Sequence, residues 1–279
     1  MTNSAGSAPD IVIHLRRTDI ATPAPDVGLA LARRLGAWVT GLHVVPLAPV
    51  AFASPEAVAL YVNEVDHMYQ AALKHAPQWQ AQLAAHGVEG DWQVSQGDIV
   101  ESLCHASRWC DVLVVERPQL VPDAPTGWGV VSRTVFGAAA AVVVVPEKAV
   151  STAIGTHIVI AWNQSREAML AIRGALPLLA RAERVSVLEG DTVENPFGLR
   201  YLPRFDLRAW CARHHIDAEF RAFNGGKERG AALLDTTHAL GGDLIVMGAW
   251  GHSRITELVL GGTTRHLFQH SDLPLLVAH

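Results

Sequence analysis

The chain is poor in the residues that would mark several large classes of protein. Only three cysteines, Cys104, Cys110 and Cys211, occur in 279 residues. The count is odd and no C-x-x-C spacing occurs, which argues against a disulfide framework or a zinc ribbon. Reduced thiols in a cytoplasmic setting are the expectation. The longest apolar run, Ala138 to Val145, is too short to cross a bilayer, so no membrane partner is expected. Residues 1–10 are small and polar and lack the basic and apolar regions of a signal peptide; they read as a loose tail. Net charge is −5 and the Lys and Arg residues are scattered, so no basic stripe is offered to nucleic acid. The fourteen histidines are not set beside carboxylates in a ligand pattern, and no metal site is expected from them. A serine elbow, a G-x-G-x-x-G after the first strand and a P-loop are all missing. Gly225-Gly226-Lys227-Glu228 has a glycine pair and a lysine, but no Ser or Thr after the lysine.

What is present is alternation. Short apolar runs, Ile11 to Leu15, Trp38 to Val45, Trp92 to Val94, Asp111 to Val115 and Ala141 to Val145, read as strands. Helices are expected from Pro23 to Leu35, closed by Gly36, from Pro55 to His86 with a break at Pro77, and from Ile99 to Trp109. The pattern then runs again. Strands are expected at His157–Ala161, Val185–Leu188, Ala218–Ala222, Asp243–Met247 and Leu273–Val277. Helices are expected at Ser165–Ala182, bent at Pro177, then at Phe205–His215, Glu228–Leu240, Ile255–Leu260 and Arg265–His270. Asp111 to Val115 aligns with Asp243 to Met247, and Ala141 to Val145 with Pro274 to Ala278. The expectation is an α/β protein of two tandem open units. Each has five parallel strands with helices on both faces, one unit in residues 1–148 and the other in 149–279.

Ligands on such sheets bind beyond the carboxyl ends of the strands, where strand order reverses. In the second unit those ends are Ala161-Trp162-Asn163 and Met247-Gly248. Glycines gather there: Gly248, Gly251, Gly261 and Gly262. Gly262-Thr263-Thr264 is expected just ahead of a helix, where free N–H groups and the positive end of the helix dipole favour an anion. His252-Ser253-Arg254 reads either as a phosphate contact or as an exposed helix start. Trp162 reads as a packing residue, and Trp250 as packing or as a base contact.

The spacing Gly248-x-x-Gly251, nine residues, Gly261 resembles the G-x-x-G-x9-G-[S/T] nucleotide loop of the universal stress protein family. The resemblance extends over nearly the whole chain as two copies. It implies that Ala161 and Asn163 lie at adenine and ribose, with Gly190 over the base. It sets Met247, Gly248, Trp250 and Gly251 under the sugar and phosphates, and wraps Gly261, Gly262 and Thr263 around the phosphates. Two departures stand out: Asn163 replaces an acid, and Gly262 replaces the Ser or Thr, with Thr263 or Thr264 as substitutes. The first unit departs further. Glu116 and Gln119 stand where the second has Gly248 and Gly251, among Pro118, Pro122, Pro125 and Asp123, and Arg16-Arg17 replaces the acid after strand one. Arg16 and Arg17 read as a solvated loop end, and the first unit as a copy without nucleotide. The implied function is a stress-response sensor or regulator that binds ATP, ADP or AMP in its C-terminal half, with Mg2+ as a candidate companion. Pairing of the two halves through their terminal strands is implied, and a homodimer of the whole chain beyond that. A slow ATPase or adenylyl-transfer enzyme and a nucleotide-free interaction module are the rival readings.

Overall fold

The computed structural model describes residues 8–18, 21–47, 54–118, 129–149, 152–190, 203, 205–249 and 262–279. In the first half, β1 (Asp10–His14), α1 (Pro23–Leu35) and β2 (Trp38–Pro46) are followed by α2 (Pro55–Leu73), α3 (Ala76–His86) and β3 (Gly90–Gly97). Then come α4 (Ile99–Ala106), β4 (Val112–Arg117), α5 (Val130–Gly137) and β5 (Ala141–Pro146). The second half runs β6 (His157–Trp162), α6 (Arg166–Gly174), α7 (Leu176–Leu179), β7 (Arg184–Glu189), α8 (Leu207–Arg213) and β8 (Ala218–Ala222). It finishes with α9 (Arg229–Leu240), β9 (Leu244–Gly248), α10 (Gly262–His270) and β10 (Leu275–Ala278).

Local chemistry sets most of these boundaries. Gly36 takes the left-handed conformation, φ 65°, that stops α1, and its N–H caps the carbonyls of Ala32 and Arg33. Ser54 and Ser165 start α2 and α6 by accepting from the N–H three residues on. The helix breaks at Pro77 as expected, and at Pro177 the expected bend is a break as well. Each lies in the first turn of a new one, α3 or α7, where the missing N–H is of no consequence.

The strands form one ten-stranded sheet in the order β3-β2-β1-β4-β5-β10-β9-β6-β7-β8. Neighbours within each half are parallel. Only β5 and β10 are antiparallel, with Val143 opposite Leu276. The expected tandem five-stranded units are therefore fused edge to edge. Apart from the edge strands β3 and β8, the strands are largely buried on both faces, as their near-continuous apolar sequences require. Alternate residues such as Ile11, Ile13, Val143, Ile158, Ile160 and Leu276 pack beneath α1, α3, α6 and α7. The intervening ones, Val12, Leu113, Val142, Ile245 and Leu275, meet α4, α5, α9 and α10. Both cores run through the β5–β10 junction without interruption.

Leu276 is fully buried in that junction, between Val143 and Val246. Leu276→Ala should cost about 2–5 kcal/mol, read as a lower urea midpoint in a single transition. Separate unfolding of two halves, with only one shifted, would show that the junction does not unite them.

Candidate functional site

The chain leaves β6 towards β7 on one side, while β9 flanks β6 on the other. Sheets of this kind place a ligand crevice at such a switch point, here the carboxyl ends of β6 and β9, where Ala161 and Met247 are register partners. Ala161 is half-buried and Met247 is buried. Gly248 ends β9 for a packing reason. A Cβ on it would stand 2.4 Å from the Ala168 nitrogen and 2.7 Å from the Glu167 carbonyl carbon, at the start of α6. Asn163 forms a turn: its Oδ1 accepts from the Ser165 N–H at 3.2 Å, beside Gln164 at φ 61°. Part of its acceptor capacity is thus committed to the loop that starts α6. Gly190 follows β7 and donates its N–H to the Trp162 carbonyl at 2.9 Å. A Cβ there would meet nothing closer than 3.7 Å, so the backbone does not demand glycine. Trp162 is half-buried against the core, as expected.

Gly262 and Thr263 differ from expectation. The helix was expected to begin at Arg265, but α10 includes Gly262, so both residues belong to its first turn. Their amides are among the unsatisfied donors of a helix start. Gly262 is exposed and has open space where a side chain would be. Thr263 is half-buried and Thr264 buried, so Thr263 is the more accessible hydroxyl. No acidic side chain lies in this turn. Trp250, Gly251 and Gly261 lie outside the described residues, as do His252 to Arg254 and the helix expected at Ile255–Leu260. The structure thus sets Ala161, Asn163, Met247, Gly248 and Gly190 at the carboxyl ends of the neighbouring strands β6, β9 and β7, and it makes Gly262 and Thr263 a helix start.

Register gives the equivalents in the first half. Ile11 pairs with Val112 as Ile158 pairs with Leu244. His14 then corresponds to Ala161, Arg16 to Asn163 and Glu116 to Gly248. Glu116 is buried, 4% exposed, and Arg16 Nε donates to its Oε1 at 2.6 Å. Arg16 also reaches Glu147 at 3.2 Å. Arg16 is therefore no solvated loop end: a carboxylate taken out of water needs a counterion, and the residue in the Asn163 position supplies it. Burial, with the charges of His43 and Arg16, lowers the pKa of buried His14 to about 4. Next to Glu116, the Arg117 guanidinium donates to the Phe268 and Ser271 carbonyls, clasping the end of α10. Gln119, Pro122, Asp123 and Pro125 lie outside the described residues.

The cysteines are free, and burial pushes the Cys110 thiol up to about 12. His266 and His270 stand one helical turn apart on α10 with stacked rings, a spacing the sequence reading passed over. Among the described residues, no three His, Cys, Asp or Glu side chains are grouped to hold a metal. No described helix is long and apolar enough to cross a membrane.

Residues 156–279 match the profile described as the Universal stress protein family. That half of the chain therefore resembles the universal stress protein family. Solved structures resemble the whole of it. A universal stress protein from Archaeoglobus fulgidus superposes with a TM-score of 0.72 at 15% identity, covering 98% of this chain and 99% of that one. A putative universal stress protein from Pseudomonas aeruginosa gives 0.57 at 14%, covering 98% and 93%. A functionally unknown protein from the same species gives 0.59 at 13%, covering 98% and 92%. At these identities the likeness speaks for the fold, and it extends to the first half, which lies outside the family match. No curated protein matches the chain.

Two outcomes test the paired charges and the buried imidazole. Arg16→Met leaves Glu116 uncompensated and should cost about 3 kcal/mol, most of it recovered when Glu116→Gln is added; urea unfolding of both variants measures this. Equal stability of the single and double variants would mean that the pair carries no such load. For His14 the folded pKa lies below the unfolded value, so the unfolded chain binds the extra proton. Stability should fall by on the order of 3 kcal/mol between pH 6.5 and 4. His14→Leu should flatten that part of the profile relative to the parent; an unaltered slope would assign it to other groups.

Proposed function

We propose that the C-terminal half binds an adenine nucleotide in the crevice between β6 and β9, and that the chain acts as a nucleotide-responsive regulator in the stress response. The observation that carries the reading is the start of α10. Gly262 and Thr263 present first-turn amides with open space in front of Gly262 and no carboxylate in the turn. A helix start of this kind favours phosphate. It belongs to the half that matches the universal stress protein family. Ala161 and Met247 supply the apolar floor, and Asn163 and Gly190 the polar rim for a base and sugar. Trp250, Gly251 and Gly261 are assigned to the same site on spacing alone, and Mg2+ would accompany a polyphosphate there.

In this reading the first half, residues 1–148, is a copy whose equivalent position repels phosphate through Glu116, and the site-bearing half is 149–279. The antiparallel β5–β10 pairing supports treating the two halves as an intramolecular pseudo-dimer. Both terminal strands are consumed by it, so a homodimer of the whole chain must use another surface.

Thermal melting of the full chain with AMP, ADP and ATP tests the reading, together with acid extraction of nucleotide from fresh protein. At a hundredfold excess over Kd a ligand stabilises by about 2.7 kcal/mol, so Tm should rise by several degrees. Gly262→Glu should keep the fold, since a carboxylate suits a helix start, yet lose the nucleotide shift. No shift with any of the three, and an empty extract, would favour a nucleotide-free interaction protein.

A further inference from the structure

Helix α10 turns three faces to three surroundings. Leu267 is buried in the core. Arg265, Phe268 and Gln269 line a largely apolar cavity of about 220 Å³ in the first half, beyond the carboxyl ends of β1 and β4. His266 faces α9, and His270 follows it one turn on, on the same face of the helix. Both imidazoles are held in place. A Cβ on Gly230 would stand 2.4 Å from His266 Cβ, so α9 presses directly on the base of that side chain. His270 Nδ1 donates to the His266 carbonyl at 3.0 Å, which puts its proton on Nδ1 and leaves the Nε2 lone pair for a ligand. The two ring centroids are 4.4 Å apart. His270 is exposed and His266 half-buried, so solvent reaches the pair.

The surroundings suit a cation. Burial, with the charge of His270, lowers the pKa of His266, so its ring is neutral at neutral pH and can ligate. Glu228 and Asp235, both exposed on the α9 side, act on His266 in the opposite sense, and the same two carboxylates favour a bound positive ion. His238 of α9 is engaged by Asp272 at 2.9 Å. We propose that His266 and His270 bind one divalent late first-row transition-metal ion through their Nε2 atoms, with water in the remaining coordination positions. Histidines at this spacing share a helix face, as the two do in H-E-x-x-H metal sites. No third His, Cys, Asp or Glu among the described residues completes the set, so these residues do not make a four-ligand structural zinc centre. For two imidazoles with open positions, Cu2+ should bind tightest and Ni2+ and Zn2+ less so. Mg2+ and Ca2+ take oxygen ligands and should not compete. The proposal does not depend on the C-terminal half being a nucleotide site.

Titration calorimetry of the full chain with Ni2+, in nucleotide-free buffer without chelating components, tests it. Ni2+ should bind saturably at one per chain, and excess Mg2+ should leave the isotherm unchanged. His270→Ala and His266→Ala should each weaken binding by about tenfold or more, since disturbing even an outer-shell partner of a metal ligand costs that much. His270 is exposed, so its variant should melt near the parent and decides the matter should His266→Ala not fold. His67→Ala, at an exposed position of α2, should bind Ni2+ as the parent does. With Cu2+, electron paramagnetic resonance should show two coordinated imidazole nitrogens in the parent and one fewer in His270→Ala. The proposal is overturned if Ni2+ does not saturate at one per chain or if Mg2+ displaces it. It is equally overturned if His270→Ala keeps the parent's affinity or its two-nitrogen spectrum, which leaves adventitious binding to scattered histidines only.

Discussion

The antiparallel pairing of β5 with β10 is the contact on which the rest of the molecule depends. A five-stranded parallel unit ends in an exposed strand whose unpaired N–H and C=O groups invite association. Here each half offers such a strand to the other, and Val142, Val143 and Val144 meet Val277, Leu276 and Leu275. The result is one sheet with a continuous apolar layer on each face. The junction also sets α10 beside the first half, where Arg117 clasps its last carbonyls and Phe268 lines the first half's cavity. One helix thus has its start at the candidate phosphate site and its far end against the other half.

The two halves diverge most sharply at the carboxyl end of the fourth strand. Gly248 lets the start of α6 approach so closely that any side chain would collide with its backbone. Glu116, at the equivalent register, introduces a buried charge, and Arg16 answers it from the position held by Asn163 in the second half. These differences belong together: a buried carboxylate without its counterion is costly, and a lone arginine there would have no reason to turn inward. Where the second half has Asn163 and Gly248, the first half has an ion pair beside an apolar space.

Much of this was legible in the sequence. Strong apolar runs located the eight inner strands, because strands buried on both faces leave little freedom in composition, while the partly exposed edge strands β3 and β8 showed as a short run and an alternating one. Gly36, Ser54 and Ser165 marked helix ends through their own chemistry. The helix α5 was missed: Val130, Val131, Thr134 and Val135 are β-branched and poor helix formers, and packing of Val135 on the sheet overrides that preference. The start of α10 was expected at Arg265 because Gly262, Thr263 and Thr264 also favour turns, yet they lie within its first turn. The Arg16–Glu116 pair was out of reach, since its partners lie a hundred residues apart and meet only through the β1–β4 pairing. Gly248 was read as a ligand-facing glycine, and nothing in the local sequence announces the close approach of α6. Trp250, Gly251 and Gly261 rest on their spacing alone.

A crystal structure of the full chain grown with AMP measures the asymmetry between the halves most directly. The account predicts one nucleotide per chain, its phosphate against the amides of Gly262 and Thr263 and its base over the carboxyl ends of β6 and β9. Nucleotide beside Arg16 and Glu116, or a Gly262–Thr263 turn packed against side chains with no room for a phosphate, would contradict it.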